Sequence, residues 1–384
     1  MSLHTSLISE MGYDAMAMNV DHETLLPCGE KLKPLLNKAC ISDSDIKQLL
    51  MKRGVYLGDF DKRHYIPLLT LSALSPSEFE YLQEKQKNKE DSIKYRTSKV
   101  VSNTTDNLQD IIPLDLIQIN NIKDGSDSYD FNTDVVFALG SSDQLILEYE
   151  ILRDDITKDW FSNKSKHSGR IIVQRNLSEK VISFKSEFTS PETYNVNEEI
   201  IKTVRMHLAS SGHVANNAEI LSVTSENFSN KERFMFMLRL ANNSPNGFLT
   251  FEAVSNIEIG PDENAVLPNE ANWMANCVKN MIINGESLQN IEYIRNPQYH
   301  DSLILREIEA KYKFQTGSAE GTCIIEYGFP HYFRKNARDK SFQASIPKVY
   351  FSKNSKSANL TNISRRLLNE FEVMKEAKYK DVKK

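Results

Sequence analysis

The spacing of hydrophobic and polar positions along this chain changes once, near residue 100. Before that point apolar residues recur at helical intervals. In ISDSDIKQLLMKRGVYLGDFDKRHYIPLL, Ile41–Leu69, the residues Ile46, Leu49 and Leu50 form one apolar stripe. Ser42 or Ser44 can cap that helix and Gly54 can end it. A second helix is expected to begin near Asp61 or around Pro67 and to reach about Ala73, with Leu68, Leu69 and Leu71 on its buried side. Ser75-Pro76-Ser77-Glu78 then opens a third helix, expected over 76–97, with proline in the first turn.

Past the polar stretch SNTTDNLQD, Ser102–Asp110, the period becomes two. In VISFKSEF the residues Ile182, Phe184 and Phe188 fall on one side, and Ser183, Lys185 and Glu187 on the other. LILREIEAKYKF places Ile304, Ile308, Tyr312 and Phe314 inward and Glu307, Glu309, Lys311 and Lys313 outward. FLTFEAVSNIEI and GTCIIEYGF add further strands. Half-buried alternation of this kind belongs to antiparallel or mixed sheets with one wet face. Helices interrupt the strands. One is capped by Ser190, carries Pro191 in its first turn and stops at Gly212; others are expected from Ser225 to Leu240 and over Glu270–Ile283. A last helix, Leu360–Tyr379, has Leu360, Ile363, Leu367, Leu368, Phe371 and Met374 on one face. The chain shows no internal repeat and no regular βαβ alternation, so solenoids and doubly wound folds are disfavoured. The class is α+β. The expected organisation is a helical module at 1–100, a linker at 101–110, and a body at 111–384 with mixed or antiparallel sheet.

Composition narrows the class further. With 384 residues, 40% hydrophobic and 26% charged, the chain is a globular protein long enough for two or three cores. No run of eighteen apolar residues appears, and the N-terminus lacks the basic start and apolar block of a signal peptide. Cys28, Cys40, Cys277 and Cys323 form no CxxC pair and the histidines no HxxxH, so neither structural zinc nor another metal or cofactor is expected. That cysteine usage fits a reducing cytoplasm. Charge is uneven. His331–Lys384 holds fourteen Lys/Arg and five Asp/Glu, or +9, which leaves −14 of the total −5 for Met1–Pro330. Such a tail either meets an acidic partner or docks on the acidic body of its own chain.

Candidate chemistry follows from these placements. Lys52, Arg53, Lys62 and Arg63 lie near the helix junctions of the first stretch, and Arg365, Arg366, Lys375 and Lys378 lie on the last helix. Basic side chains so placed can neutralise phosphates and give affinity without sequence reading. Against this, residues 42–99 hold eleven basic and nine acidic residues, only +2. HYFRKNARDK, His331–Lys340, mixes aromatic and basic residues as single-strand binders do, and equally as a surface loop does. Asp134 before one strand, with Glu148 and Glu150 sharing a face of the next, has the spacing of a metal-dependent nuclease that uses Mg²⁺, but its Glu-x-Glu lacks the lysine such cores carry. His, Asp and Ser adjacent at His300 are a tripeptide and not a triad. There is no GKS, GKT or GxGxxG, which excludes the common ATPase and dinucleotide motifs.

Through Ile46, Leu49, Leu50, Gly54, Val55, Leu57, Lys62, Arg63, Leu68 and Leu69, the first stretch resembles the SAP, or helix–extension–helix, class of DNA-binding motif. It departs from that pattern at Pro67, where the second helix should be under way. The resemblance implies contact with duplex DNA. A small DNA-grip module ahead of an unfamiliar α+β body also resembles subunits of bacterial anti-phage defence systems, some of which work beside a separate nuclease. The expected protein is a non-ATPase subunit that binds nucleic acid and a protein partner or a second copy of itself. It involves no membrane. A metal-dependent nuclease and a purely structural subunit are the alternatives.

Overall fold

A computed structural model describes residues 28–383, apart from 38–40, 42, 57, 59–61, 91, 123–128, 155–163, 276, 318, 331–339 and 356–358. The described residues fall into two compact units, one within 1–87 and 152–165 and one within 88–151 and 166–384.

The first unit is built from α1 (Lys33–Asn37), α2 (Asp43–Lys52), α3 (Lys62–Thr70) and most of α4 (Pro76–Glu90). Leu32, Leu35, Ile46, Leu49, Leu50, Tyr65, Ile66, Leu69 and Leu82 close its core. Gly54 takes φ +77°, where a side chain is disfavoured, and Val55 N–H returns to Leu50 C=O at 2.9 Å, which ends α2 as expected. α3 starts at Lys62, as the first of the two expected starts has it, and continues through Pro67, which stands inside it. The proline withholds one N–H, and the short helix survives because Tyr65, Ile66 and Leu69 anchor it in the core. Of the three leucines expected inward, only Leu69 is buried; Leu68 and Leu71 face out. The third helix is also shorter than 76–97. It ends at Glu90, and Lys94–Val101 is strand β1. Tyr95, Thr97, Val100 and Val101 favour a strand, and backbone pairing runs along all eight of those residues.

The second unit is α+β. After β1 come α5 (Leu108–Ile111), α6 (Ile119–Ile122), β2 (Tyr129–Phe131), β3 (Phe137–Ser141), β4 (Gln144–Asp154), β5 (Lys164–Asn176), β6 (Val181–Phe188) and α7 (Pro191–Ser210). These are followed by β7 (Leu221–Ser222), α8 (Asn230–Leu240), β8 (Leu249–Pro261), β9 (Met281–Asn284) and α9 (Glu292–Arg295). β10 (Leu303–Gln315), β11 (Glu320–Gly328), β12 (Gln343–Phe351) and α10 (Leu360–Val382) complete the chain. The strands form one sheet in the order β2-β4-β5-β6-β1-β12-β11-β10-β8-β9, with β3 against β4 and β7 against β1. The helix expected over Glu270–Ile283 is a 3-10 turn, Asn269–Met274, followed by β9, which pairs with β8.

Two cores lie on this sheet. On one face Val100, Ile182 and Phe184 meet Val196, Ile200, Val204 and Leu208 of α7. Ser190 accepts from Thr193 N–H and caps α7 as the sequence predicts. The second core joins β8 and β10–β12 to α8 and α10 through Tyr312, Tyr327, Ile308, Phe236, Leu367 and Phe371. α10 then runs on across the polar side of β1 and β6, so Lys185 and Glu187, expected on a wet face, lie on a face that α10 covers in part. Glu187 is buried there.

Candidate functional site

In the first unit, the α2 and α3 ends are held by one arginine. Arg53 donates to both carboxylate oxygens of Glu78, at 2.7 and 2.6 Å, to Ser72 Oγ at 2.5 Å and to Ala73 C=O at 2.9 Å. Glu78 in turn accepts from Ser75 N–H at 2.7 Å, completing the helix start read from Ser75-Pro76-Ser77-Glu78. The Arg53 bonds, with those from Ser75, hold the Glu78 carboxyl down at about 2. A carboxyl depressed from 4.5 gives stability that is complete above 4.5 and is lost as pH falls toward 2. Arg53→Ala is therefore expected to cost about 1–2 kcal/mol at pH 7 and to flatten stability between pH 4.5 and 2. Urea midpoints of the two proteins at pH 3 and pH 7 check both parts.

The other basic residues of the stretch are arranged differently. Lys52 is exposed and its Nζ stands 5.0 Å from the Tyr81 ring centre, whose hydroxyl donates to Gln48 at 2.7 Å. Lys62 opens α3, and Arg63 and His64 are exposed on that helix. The same unit exposes apolar side chains that the hydrophobic pattern did not separate from the core: Tyr56 is 73% exposed, Leu71 86%, Met51 42% and Leu68 38%. Pro67 and Leu68 are exposed on α3, and Leu71 is exposed in the turn that follows it. One signal was available, since α3 carries apolar residues at both phases of its period.

On α10 the cations bind the protein's own carboxylates. Arg365 Nε meets Glu187 at 2.8 Å and its Nη1 meets Glu148 at 3.3 Å; Arg170 bridges the same two carboxylates at 3.1 and 2.7 Å. Lys375 is buried and pairs with Glu372 at 2.8 Å and with Thr97 Oγ1. Lys380 reaches Glu179 at 2.6 Å and Lys383 reaches Glu232 at 3.2 Å. Arg366 is exposed, 5.1 Å from the Phe248 ring centre, and Lys378 is half-buried. Docking of the basic tail on the acidic body, one of the two alternatives posed by the charge count, is thus present along α10.

The three carboxylates of the nuclease alternative do not converge. Glu148 and Glu150 share a face of β4, as their phase requires, but Glu148 is held by Arg170 and Arg365 and Glu150 by Lys166 at 3.2 Å. Asp134 lies in the exposed segment ahead of β3. Among the described residues no group of three or more His, Cys, Asp or Glu is placed to hold a metal. The Glu-x-Glu is explained by ion pairing. His300 is buried, stacked 4.2 Å from Phe234, with Nε2 2.9 Å from Ile294 C=O; burial pushes its pKa down and makes it a core residue. Burial pushes the Cys323 thiol up to about 12, which leaves it unreactive. His331–Arg338 and Asp339, most of the aromatic-basic stretch, lie outside the described residues, as do Cys40, Leu57, Asp59 and Asp61. No helix among the described residues is long and apolar enough to cross a membrane.

Residues 30–92 match the family model for the GAPS4b protein N-terminal domain. That match spans the four helices of the first unit and stops before β1. No curated protein matches the chain. Two solved structures are similar to it at low identity. DynU16, from the dynemicin biosynthetic locus, is 8% identical over 67% of this chain and 78% of that one, with a TM-score of 0.15. The di-domain ARO/CYC StfQ, from the steffimycin biosynthetic pathway, is 9% identical over 74% and 96%, with a TM-score of 0.17. Both scores are too low for either likeness to bear on fold or function.

Proposed function

We propose that this chain is a partner-binding, non-ATPase subunit of an anti-phage defence system, and that its N-terminal helical module is the docking element. The observation that carries the reading is the exposed apolar set Met51, Tyr56, Leu68 and Leu71 on a module whose own core is already closed. A small helical unit has no internal use for a leucine 86% exposed and a tyrosine 73% exposed. The match of residues 30–92 to a defence-associated family supports the setting. Arg365 and Lys375 are engaged within the chain, which speaks against α10 as a phosphate grip.

Contact with duplex DNA is the second reading, favoured by exposed Lys52 and Arg63 on α2 and α3 of the same module. The two readings separate cleanly. Leu68→Asp with Leu71→Asp is expected to leave the thermal midpoint unchanged, because both side chains are exposed, and to abolish stoichiometric co-purification of a protein partner with the full chain. Retention of that partner by the double variant would remove the module as its docking element. Lys52→Ala with Arg63→Ala is expected to matter only if DNA is bound. In that case affinity for duplex DNA falls steeply with salt and the double variant lowers the slope by about two. A gel-shift series between 50 and 200 mM salt measures it.

A further inference from the structure

The free edges of the sheet are treated in two ways. Beside β3 the edge is covered. Phe137 N–H turns away from β4 and bonds Leu114 C=O at 2.9 Å, and Leu108 N–H reaches Ser142 C=O at 3.0 Å, so the segment that holds α5 lies along β3. Along β8, side chains answer the edge: Val254 N–H donates to Gln289 Oε1 at 3.0 Å and Phe251 N–H to Asn243 Oδ1 at 2.8 Å. β9, the last strand in the sheet order, has no such cover. Gly285 N–H bonds Ser255 C=O at 3.1 Å, which turns the main chain of Gly285 toward β8. Alternation then turns the main-chain groups of Met281 and Ile283 inward, onto Ile259 and Ile257, and those of Ile282 and Asn284 outward. Among the described residues nothing bonds the main chain of Ile282 or Asn284 from the outer side.

Edge strands are commonly blunted by lysine, proline, a bulge or shortness. β9 is short, at four residues, but MIIN holds no charge and no proline and pairs with β8 without a register shift. Met281 and Ile283 pack against the core, while Ile282 is 57% exposed. Asn280 donates to Glu258 of its own sheet, which leaves the edge beside Ile282 clear. The run is also self-complementary. Antiparallel pairing of β9 with a second β9, about a two-fold axis at Ile282, sets Ile282 opposite itself, Met281 opposite Ile283 and Asn280 opposite Asn284. The outward N–H and C=O of each Ile282 then meet, and the two exposed side chains pack on one face. Lys279 of each copy comes beside Gly285 and Glu286 of the other, an opposite-charge pair at both ends of the ribbon, and both charged residues are exposed. A parallel pairing in register would instead set lysine beside lysine and glutamate beside glutamate.

We infer that β9 is the docking edge for a second copy of this chain, with the two strands paired antiparallel through Ile282. This does not depend on the N-terminal module as a docking element, since every residue named belongs to the second unit.

Sedimentation equilibrium of the full chain, from about 1 to about 200 µM, is expected to show monomer and dimer with a Kd of about 10–100 µM, since one short ribbon is a small interface. Ile282→Lys sets two ammonium groups against each other and is expected to raise Kd at least about tenfold. The thermal midpoint of the dilute protein should not change, because that side chain is exposed. Lys279→Glu is expected to weaken the dimer about threefold, and Lys279→Glu with Glu286→Lys to restore it. Cross-linking reads the register. In a background of Cys28→Ser, Cys40→Ser and Cys277→Ser, Ile282→Cys puts two Cα atoms about 5.5 Å apart across the axis, within disulfide reach, and is expected to give an oxidised dimer. Lys279→Cys puts them about 20 Å apart and is expected to give none. Should Ile282→Lys not fold, the charge exchange and the cross-links decide the matter. A chain that stays monomeric at 200 µM, a dimer that survives Ile282→Lys unweakened, or equal cross-linking from positions 279 and 282 would overturn the pairing.

Discussion

Lys375→Ala is expected to destabilise the chain by about 3–5 kcal/mol, the largest loss from any single cation of α10. Its ammonium is 3% exposed and lies between Glu372 at 2.8 Å, Glu376 at 3.5 Å and Thr97 Oγ1. Removing it strands Glu372, which is 9% exposed and whose carboxyl burial already pushes above its ordinary range despite Lys375. The loss must depend on pH, and its sign is fixed. A carboxyl with a raised folded-state pKa gives stability that is complete below its unfolded value and is lost as pH rises through the folded one. Without Lys375 the Glu372 pKa rises further, so the variant should be closest to wild type at about pH 5 and furthest from it at about pH 8. Adding Glu372→Gln to Lys375→Ala should recover part of the loss at pH 8 and little at pH 5. Urea unfolding of the four proteins of this cycle at both values supplies the test. An additive cycle at pH 8 would show that the two side chains do not share one buried network.

Gly169→Ala is the second large effect, expected at about 3 kcal/mol or more. A Cβ at position 169 would stand 2.2 Å from the Tyr149 ring and hydroxyl. The ring cannot swing aside, because its hydroxyl donates to Thr193 C=O and reaches Asn197 Oδ1, each at 2.8 Å, and Tyr149 is 3% exposed. Tyr149 thus ties β4 to the first turns of α7 across a strand that must carry glycine. The same Gly169→Ala change in a Tyr149→Leu background should cost less than half as much, since the clash is gone. Denaturant midpoints of the single and double variants measure the difference. Equal costs in both backgrounds would mean that the strain lies in the β5 backbone and not in the ring.

Much of the fold was legible because a period fixes which side of an element is apolar. β10 alternates as read, with Ile308, Tyr312 and Phe314 buried, and α10 buries Ile363, Leu367, Leu368, Phe371 and Met374 as its stripe requires. Ser190 and Gly54 ended their helices for reasons local to a few residues. The misreadings came where local chemistry was outvoted. The charged run before SIKYR reads as a helix that continues through it, and the residues from Lys94 onward pair as a strand instead. Pro67 looked like a break, and core contacts on either side kept the helix whole. Leu71 looked buried, and the turn after α3 carried it outward.

By itself the sequence determined the α+β class, the change of period near residue 100, and the sign and position of every charge. Only the tertiary structure decided what those charges face. Arg365 meets Glu187 from 178 residues away, Lys99 meets Glu376 from 277, and Arg53 meets Glu78 from 25. Spacing along the chain sets the phase of a side chain about its own helix or strand. It carries no information about which element lies opposite, and an ion pair exists only where two elements are brought together. For that reason a row of basic residues that reads as a phosphate grip is, on α10, in large part the fastening of a helix to its own sheet.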